Sequence, residues 1–130
     1  MGIRLWQKAG YRFGVISLRS SQVVKMRAAE LGIGIVRQGA VDKLATTKEI
    51  LAEAGLSLSQ AAYLGDDLPD LPVIRAVGLG IAVADACEEV RQAAGYVTRL
   101  PGGTGAVREA IEMILKAQGR WDEVIQVYTT

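Results

Sequence analysis

The stretch Ala61-Ala62-Tyr63-Leu64-Gly65-Asp66-Asp67-Leu68-Pro69-Asp70-Leu71-Pro72 decides the reading of this chain. A short apolar run, Ala61 to Leu64, is followed by three carboxylates within five residues and a Pro-marked helix entry. That is a buried strand, an acidic turn and a helix start. The same pattern extends both ways. Phe13 to Ile16, Ile33 to Val36, Leu79 to Val83 and Tyr96-Val97 are further short apolar runs. Most do not alternate apolar with polar, as expected for parallel strands covered on both faces. Helical stripes lie between them: Val23, Val24, Ala28 and Leu31; Leu44, Thr47, Leu51 and Ala54; Val107, Ile111, Ile114 and Leu115. Gly32 and Gly55 stand where helices should stop in a left-handed residue. Strand and helix in repeated alternation predict an α/β fold with a doubly wound parallel sheet, one domain over residues 1–130.

Composition removes whole classes of chemistry. The 130 residues carry fifteen basic and fourteen acidic side chains, net +1, without a block of one sign. Bulk charge therefore argues against nucleic-acid or membrane-surface partners. Half the residues are apolar, and the chain is long enough to bury about two-thirds of its unfolded surface. There is no histidine, which excludes His-based triads and His-ligated zinc within the chain. Cys87 is the only cysteine, and no apolar stretch approaches a membrane span, so a cytoplasmic location is expected. Trp6 and Trp121 read as packing residues, and Cys87, followed by Glu88 and Glu89, as an inert thiol.

In doubly wound folds ligands gather beyond the carboxyl ends of the strands. There stand Ser17-Leu18-Arg19-Ser20-Ser21, then Gly39-Ala40-Val41-Asp42-Lys43, then the Asp66, Asp67, Asp70 cluster. A hydroxyl, an ammonium and carboxylates are the groups that hold a phosphate and a hard cation such as Mg²⁺. Each has a plainer reading. Asp67 can cap the next helix, Ser17 can cap the Val23/Val24 helix, and Lys43 can be an ordinary helix lysine. Pro101-Gly102-Gly103-Thr104-Gly105 can cradle an anion or be a loop leading into a helix.

The order of these parts resembles the haloacid dehalogenase superfamily, and within it the 3-deoxy-D-manno-octulosonate 8-phosphate (KDO 8-phosphate) phosphatases. Val15-Ile16-Ser17-Leu18-Arg19-Ser20-Ser21 resembles that family's strand followed by T-G-R-x-S. Gln38-Gly39 through Asp42-Lys43-Leu44 resembles its Q-G-x-x-D-K-L, and Tyr63 to Pro72 its Y-x-G-D-D-L-x-D-L-P. Val83-Ala84-Asp85-Ala86, Tyr96-Val97-Thr98 and Pro101 to Glu109 continue the likeness, which runs from about Gly2 to Trp121. The resemblance implies a Mg²⁺-dependent sugar-phosphate phosphatase of lipopolysaccharide biosynthesis. Its substrate would be KDO 8-phosphate or a related phosphorylated sugar acid. Ser17 would hold the transferring phosphate and Lys43 would neutralise it, as the catalytic residues. Arg19 and Ser20 would contact substrate. Asp66 would bind the metal, with Asp67 and Asp70 as supporting carboxylates. The family's homo-tetramer, in which a neighbour's Gly-rich segment closes the site, is implied as well.

The departures lie at the start. The superfamily's nucleophile is an Asp in a D-x-D motif ending the first, central strand, and the first carboxylate here is Glu30. Gly2-Ile3-Arg4-Leu5-Trp6-Gln7-Lys8-Ala9-Gly10 resembles the helix that follows that motif. Leu18 stands in place of the family's Gly, and Thr104 in place of a frequent Arg. These departures imply a family fold truncated at its amino end and without its first central strand. The chain on its own is then an inactive phosphatase relative. The alternative is a non-catalytic binding or oligomerisation protein of the same fold. Either way, Phe13 to Ile16 and Ala61 to Leu64 should flank a vacant strand position, closed by direct pairing or by a partner. The tail Val124 to Thr130, rich in strand formers, is a candidate partner strand, with a frayed end as the alternative.

Overall fold

The computed structural model describes residues 2–129. Strand β1 (Gly14–Ile16) pairs in parallel with β2 (Ile35–Arg37), Gly14 opposite Ile35 and Ile16 opposite Arg37. Strands β3 (Ala62–Gly65), β4 (Leu79–Ala82) and β5 (Tyr96–Val97) form a second parallel sheet in that order. Around them lie α1 (Gly2–Lys8), α2 (Gln22–Glu30), α3 (Lys43–Glu53), α4 (Leu71–Ala76), α5 (Glu88–Ala93), α6 (Ala106–Ala117) and α7 (Trp121–Thr129). Among these helices none is long and apolar enough to cross a membrane.

Local chemistry sets the helix ends. Ser21 caps α2 by accepting the Val24 N–H, and Asp42 caps α3 by accepting the Ala45 N–H at 3.0 Å. Both helices end as expected in left-handed glycines, Gly32 at φ 72° and Gly55 at φ 71°. At the first, Gly32 N–H bonds Ala29 C=O and Ile33 N–H bonds Ala28 C=O, with Ile33 buried beneath. This closure moves the second strand. The run beginning at Ile33 was expected to be extended throughout, but its first residue completes the α2 terminus, so pairing starts at Ile35.

The expected stripe on α2 is only partly internal. Ala28 is buried, whereas Val23 is 74% exposed. The tail departs further, forming the helix α7, neither a strand nor a frayed end; Thr130 lies outside the described residues. Asp122 and Glu123 suit a helix amino end, and Trp121, Val124 and Ile125 recur at helical spacing against α1 and α6. That packing outweighs the strand preference of its β-branched residues.

Two cores result. Ile74, Ala82, Val83, Ala86, Val90 and Ala106 fill the space around the three-stranded sheet. Leu5, Ala9, Ile111, Leu115 and Val124 join α1, α6 and α7. The two sheets do not meet. Among the described residues no ladder joins β1 to β3, and an apolar cavity of about 450 Å³ lies between them. The vacancy between these two runs is therefore present, and direct pairing does not close it.

Leu115, with no exposed surface, anchors the second core, while Val127 on α7 is 61% exposed. Leu115→Ala should cost about 2–5 kcal/mol and Val127→Ala less than about 0.5 kcal/mol, read as urea unfolding midpoints.

Candidate active site at the carboxyl ends of the strands

The site begins with a lysine in an unfavourable place. Lys43 is the first residue of α3, where the helix dipole is positive and a cation is disfavoured. It is held there by Asp70: Lys43 Nζ donates to Asp70 Oδ1 at 2.8 Å, and both side chains are largely buried. The Tyr63 hydroxyl donates to the same oxygen at 2.6 Å. Asp70 Oδ2 accepts the backbone N–H groups of Asp66, at 2.9 Å, and Asp67, at 3.3 Å. One carboxylate thus gathers an ammonium, a phenol and two amides.

Burial raises the pKa of Asp70, but Lys43, Tyr63 and the two amides outweigh it and lower the value to about 2. For Tyr63, burial and then its bond to Asp70 push the phenol far above its ordinary range. Gly65 makes the approach possible, since a Cβ there would lie 2.6 Å from Asp70 Cβ.

Asp66 is placed differently. Its backbone is fixed at both ends, the N–H on Asp70 and the C=O accepting the Cys87 N–H at 2.9 Å, while the residue itself is exposed. Partial burial, then the neighbouring carboxylates of Asp70 and Asp67, raise its pKa, and Lys43 only partly offsets them. A cation beside Asp66 would relieve that repulsion. Asp67 turns its Oδ1 to the Leu68 N–H at 2.8 Å, opening the 3-10 turn that leads into α4. Among the described residues no three acidic or sulfur side chains converge as a complete metal cage. An oxygen donor set of this kind suits Mg²⁺, which keeps waters and phosphate as its remaining ligands.

Ser17 follows β1. Its N–H bonds Arg37 C=O and its C=O accepts the Ala40 N–H at 3.0 Å, so the loop leading to Lys43 rests against it. The Ser17 hydroxyl donates to Arg19 C=O at 2.9 Å and keeps its lone pairs. Helix capping falls to Ser21, whose N–H is held by Gln38 Oε1. Arg19 and Ser20 are exposed beside it. The glycine-rich segment is committed in part: Gly102 N–H donates to Asp85 Oδ1 at 3.0 Å. The structure therefore brings Lys43, Asp66, Asp67 and Asp70 into one network, with Ser17 joined to it through the backbone of the Lys43 loop. Sequence reasoning missed Tyr63, Gln38 and the Cys87 amide. Tyr63, the polar-tipped residue within the apolar run Ala61 to Leu64 and seven residues before Asp70, was the available signal.

These parts define a class of protein. A family model described as haloacid dehalogenase-like hydrolase matches residues 18–111, and the chain belongs to that family. Within it, the chain is 42% identical over 122 residues to the 3-deoxy-D-manno-octulosonate 8-phosphate phosphatase of Escherichia coli (strain K12). That match takes in 94% of this chain and 65% of the relative's length. A probable YrbI family phosphatase from Pseudomonas syringae pv. phaseolica superposes with TM-score 0.96 at 49% identity, over 99% of this chain and 73% of that one. The corresponding enzyme of Moraxella catarrhalis, in complex with magnesium, phosphate and KDO, superposes with TM-score 0.94 at 43% identity. It covers 98% of this chain and 73% of that chain.

Because the Asp70 pKa is lowered on folding, its contribution to stability is complete above the ordinary carboxylate range, about pH 4. It is lost as pH falls toward the folded value near 2. The loss should amount to roughly 2–3 kcal/mol in metal-free buffer. Asp70→Asn leaves a buried lysine without its counter-charge and should cost roughly 3–5 kcal/mol at pH 7. Urea midpoints should then fall less steeply with acid in this variant than in the wild type.

Proposed function

We propose that this chain forms the phosphate- and magnesium-binding part of a phosphatase site. The substrate would be KDO 8-phosphate or a related 2-keto-3-deoxy sugar acid phosphate. The observation that carries the reading is the buried Lys43–Asp70 pair. It holds a charged ammonium at the carboxyl ends of the strands, beside Asp66 and the Ser17 loop. The 42% identity to the Escherichia coli phosphatase and the KDO, phosphate and magnesium in the Moraxella catarrhalis structure support it.

In this reading the Ser17 hydroxyl turns from the Arg19 carbonyl to donate to a phosphoryl oxygen, and neighbouring amides donate to the others. Lys43 neutralises the charge that accumulates on it, an electrostatic contribution that grows in a dry site. Asp66 holds Mg²⁺, and that ion supplies Lewis-acid polarisation of the phosphate. Asp67 supports by ordering the turn, and Asp70 by keeping Lys43 in place and the Asp66 backbone fixed. Arg19 and Ser20 contact the sugar acid, Arg19 by pairing with its carboxylate. Leu18, Val41 and Leu68, which follow Ser17, precede Asp42 and follow Asp67 in the chain, are exposed, and a neighbouring subunit of a tetramer would cover them. A cytoplasmic setting goes with a charged sugar-phosphate substrate.

The superfamily reaction needs an Asp nucleophile. Among the described carboxylates at this end, Asp42 caps α3, Asp85 holds Gly102, and Asp70 is enclosed by its donors. We therefore propose that this chain alone binds without turning over. Phosphate release from KDO 8-phosphate with Mg²⁺ should stay at background, and turnover abolished by Asp66→Ala would show that another carboxylate has been recruited. Calorimetry with KDO, phosphate and Mg²⁺ should register binding weakened about tenfold or more by Lys43→Ala and by Asp66→Ala. Binding indifferent to both variants would overturn the site.

A further inference from the structure

We propose that Gln38 is a positioning residue that sets this site's preference for a sugar acid over bare phosphate, by pinning the far end of the loop that carries Arg19 and Ser20. This rests on the reading above, in which those two side chains contact the sugar acid.

The loop is anchored unequally. At its start, Ser17 N–H bonds Arg37 C=O at 2.9 Å and Ser17 C=O accepts the Ala40 N–H at 3.0 Å. Both bonds are backbone to backbone and extend the β1–β2 pairing, so no side chain decides them. At its end the anchor is a side chain. Ser21 N–H donates to Gln38 Oε1, and Gln38 directly follows β2. The orientation of that amide follows from chemistry, since a backbone N–H must meet its oxygen and not its NH₂. Between the two anchors stand only Leu18, Arg19 and Ser20.

Packing does not replace the Gln38 bond. The loop runs into α2, and of that helix's residues only Ala28 is buried. Val23 and Met26, in its amino-terminal half, are 74% and 56% exposed. The far end of α2 is secured by buried Ile33 and by Gln7, whose Nε2 donates to Gly32 C=O at 3.2 Å. Ser21 caps the helix through the Val24 N–H at 3.4 Å, but that bond moves with the helix and fixes nothing to the strands. Among the described residues, Gln38 Oε1 makes the one side-chain hydrogen bond between the start of α2 and the end of β2.

What the loop carries can grip an anion. Arg19 is exposed and has no ion pair among the described residues. A guanidinium–carboxylate pair is directional, two parallel N–H···O bonds, and depends on where the arginine backbone stands. Inorganic phosphate, in the same reading, needs neither Arg19 nor Ser20. It meets Ser17, fixed by backbone bonds, and Lys43, fixed by Asp70. Releasing the Gln38 anchor therefore separates the two ligands.

The test compares the full chain with two variants. Gln38→Met keeps the length of the side chain and removes the acceptor; Gln38→Glu keeps an acceptor oxygen in place. With Mg²⁺ present, Gln38→Met should weaken KDO binding about five- to tenfold by calorimetry and change that of inorganic phosphate less than about twofold. Amide exchange at Ser21, read by NMR, should quicken at least about tenfold in Gln38→Met and keep its original rate in Gln38→Glu. Undiminished KDO affinity in Gln38→Met, or an equal loss for KDO and phosphate, would overturn the proposal and leave the phosphatase reading standing. Unchanged Ser21 exchange in Gln38→Met would do the same. An unaltered chain that binds neither ligand would overturn that reading, and this proposal with it.

Discussion

The pair formed by Lys43 and Asp70 ties the two sheets together at one end. Lys43 follows β2 and Asp70 follows β3, and their 2.8 Å contact is among the few polar links between sheets that share no ladder. Burying an ion pair is not in itself a strong source of stability, since desolvation offsets most of the attraction. Its effect here is on placement. Asp70 has donors on both oxygens, so its own position is fixed, and it in turn fixes the ammonium and the Gly65–Asp66–Asp67 backbone. A cation at a helix amino end and an Asp crowded by other carboxylates are both unfavourable alone. The first is tolerated because Asp70 pairs with the ammonium; the second, to which Asp70 itself contributes, is only partly offset by Lys43.

At the other faces the link is apolar. Helices α1, α6 and α7 close over Leu5, Ile111, Leu115 and Val124, while α4 and α5 pack on the three-stranded sheet through Ile74 and Val90. What these cores do not fill is the space between β1 and β3. The half-buried state of Ile50, Leu51, Val107 and Ile114 follows from it, since all four line that cavity. The carboxyl ends of the strands are thus organised by hydrogen bonds and charge, while the strands beneath them are only partly packed. Binding and stability are separable here.

A doubly wound α/β architecture was legible in the chain because its signals are local. Apolar runs of strand length, stripes at helical spacing and the Gly32 and Gly55 stops each act within a few residues. The site motifs were legible for the same reason: Ser17, Lys43 and Asp66 each sit at the end of a recognisable element. Local preference failed where packing competed with it. The β-branched tail reads as strand by composition and is a helix because Trp121, Val124 and Ile125 meet a surface already made by α1 and α6. Ile33 reads as strand and instead closes a helix, because its N–H serves the Ala28 carbonyl.

The sequence by itself determined which chemistries are open to this protein. With hydroxyl, ammonium and carboxylate groups after successive strands, and no histidine among these 130 residues, the groups on offer suit oxygen ligation and phosphate binding. Only the tertiary structure decided how those groups divide the work. Three aspartates within five residues look equivalent in a line of text. Folding makes Asp70 a buried hub, Asp67 an exposed turn cap and Asp66 an exposed carboxylate held by its backbone, because burial and hydrogen bonding depend on what arrives from β2 and α3, distant in the chain. The division into two sheets is decided at the same level. Whether a strand edge is paired depends on what lies beside it in space, and that neighbour is set by the assembled core.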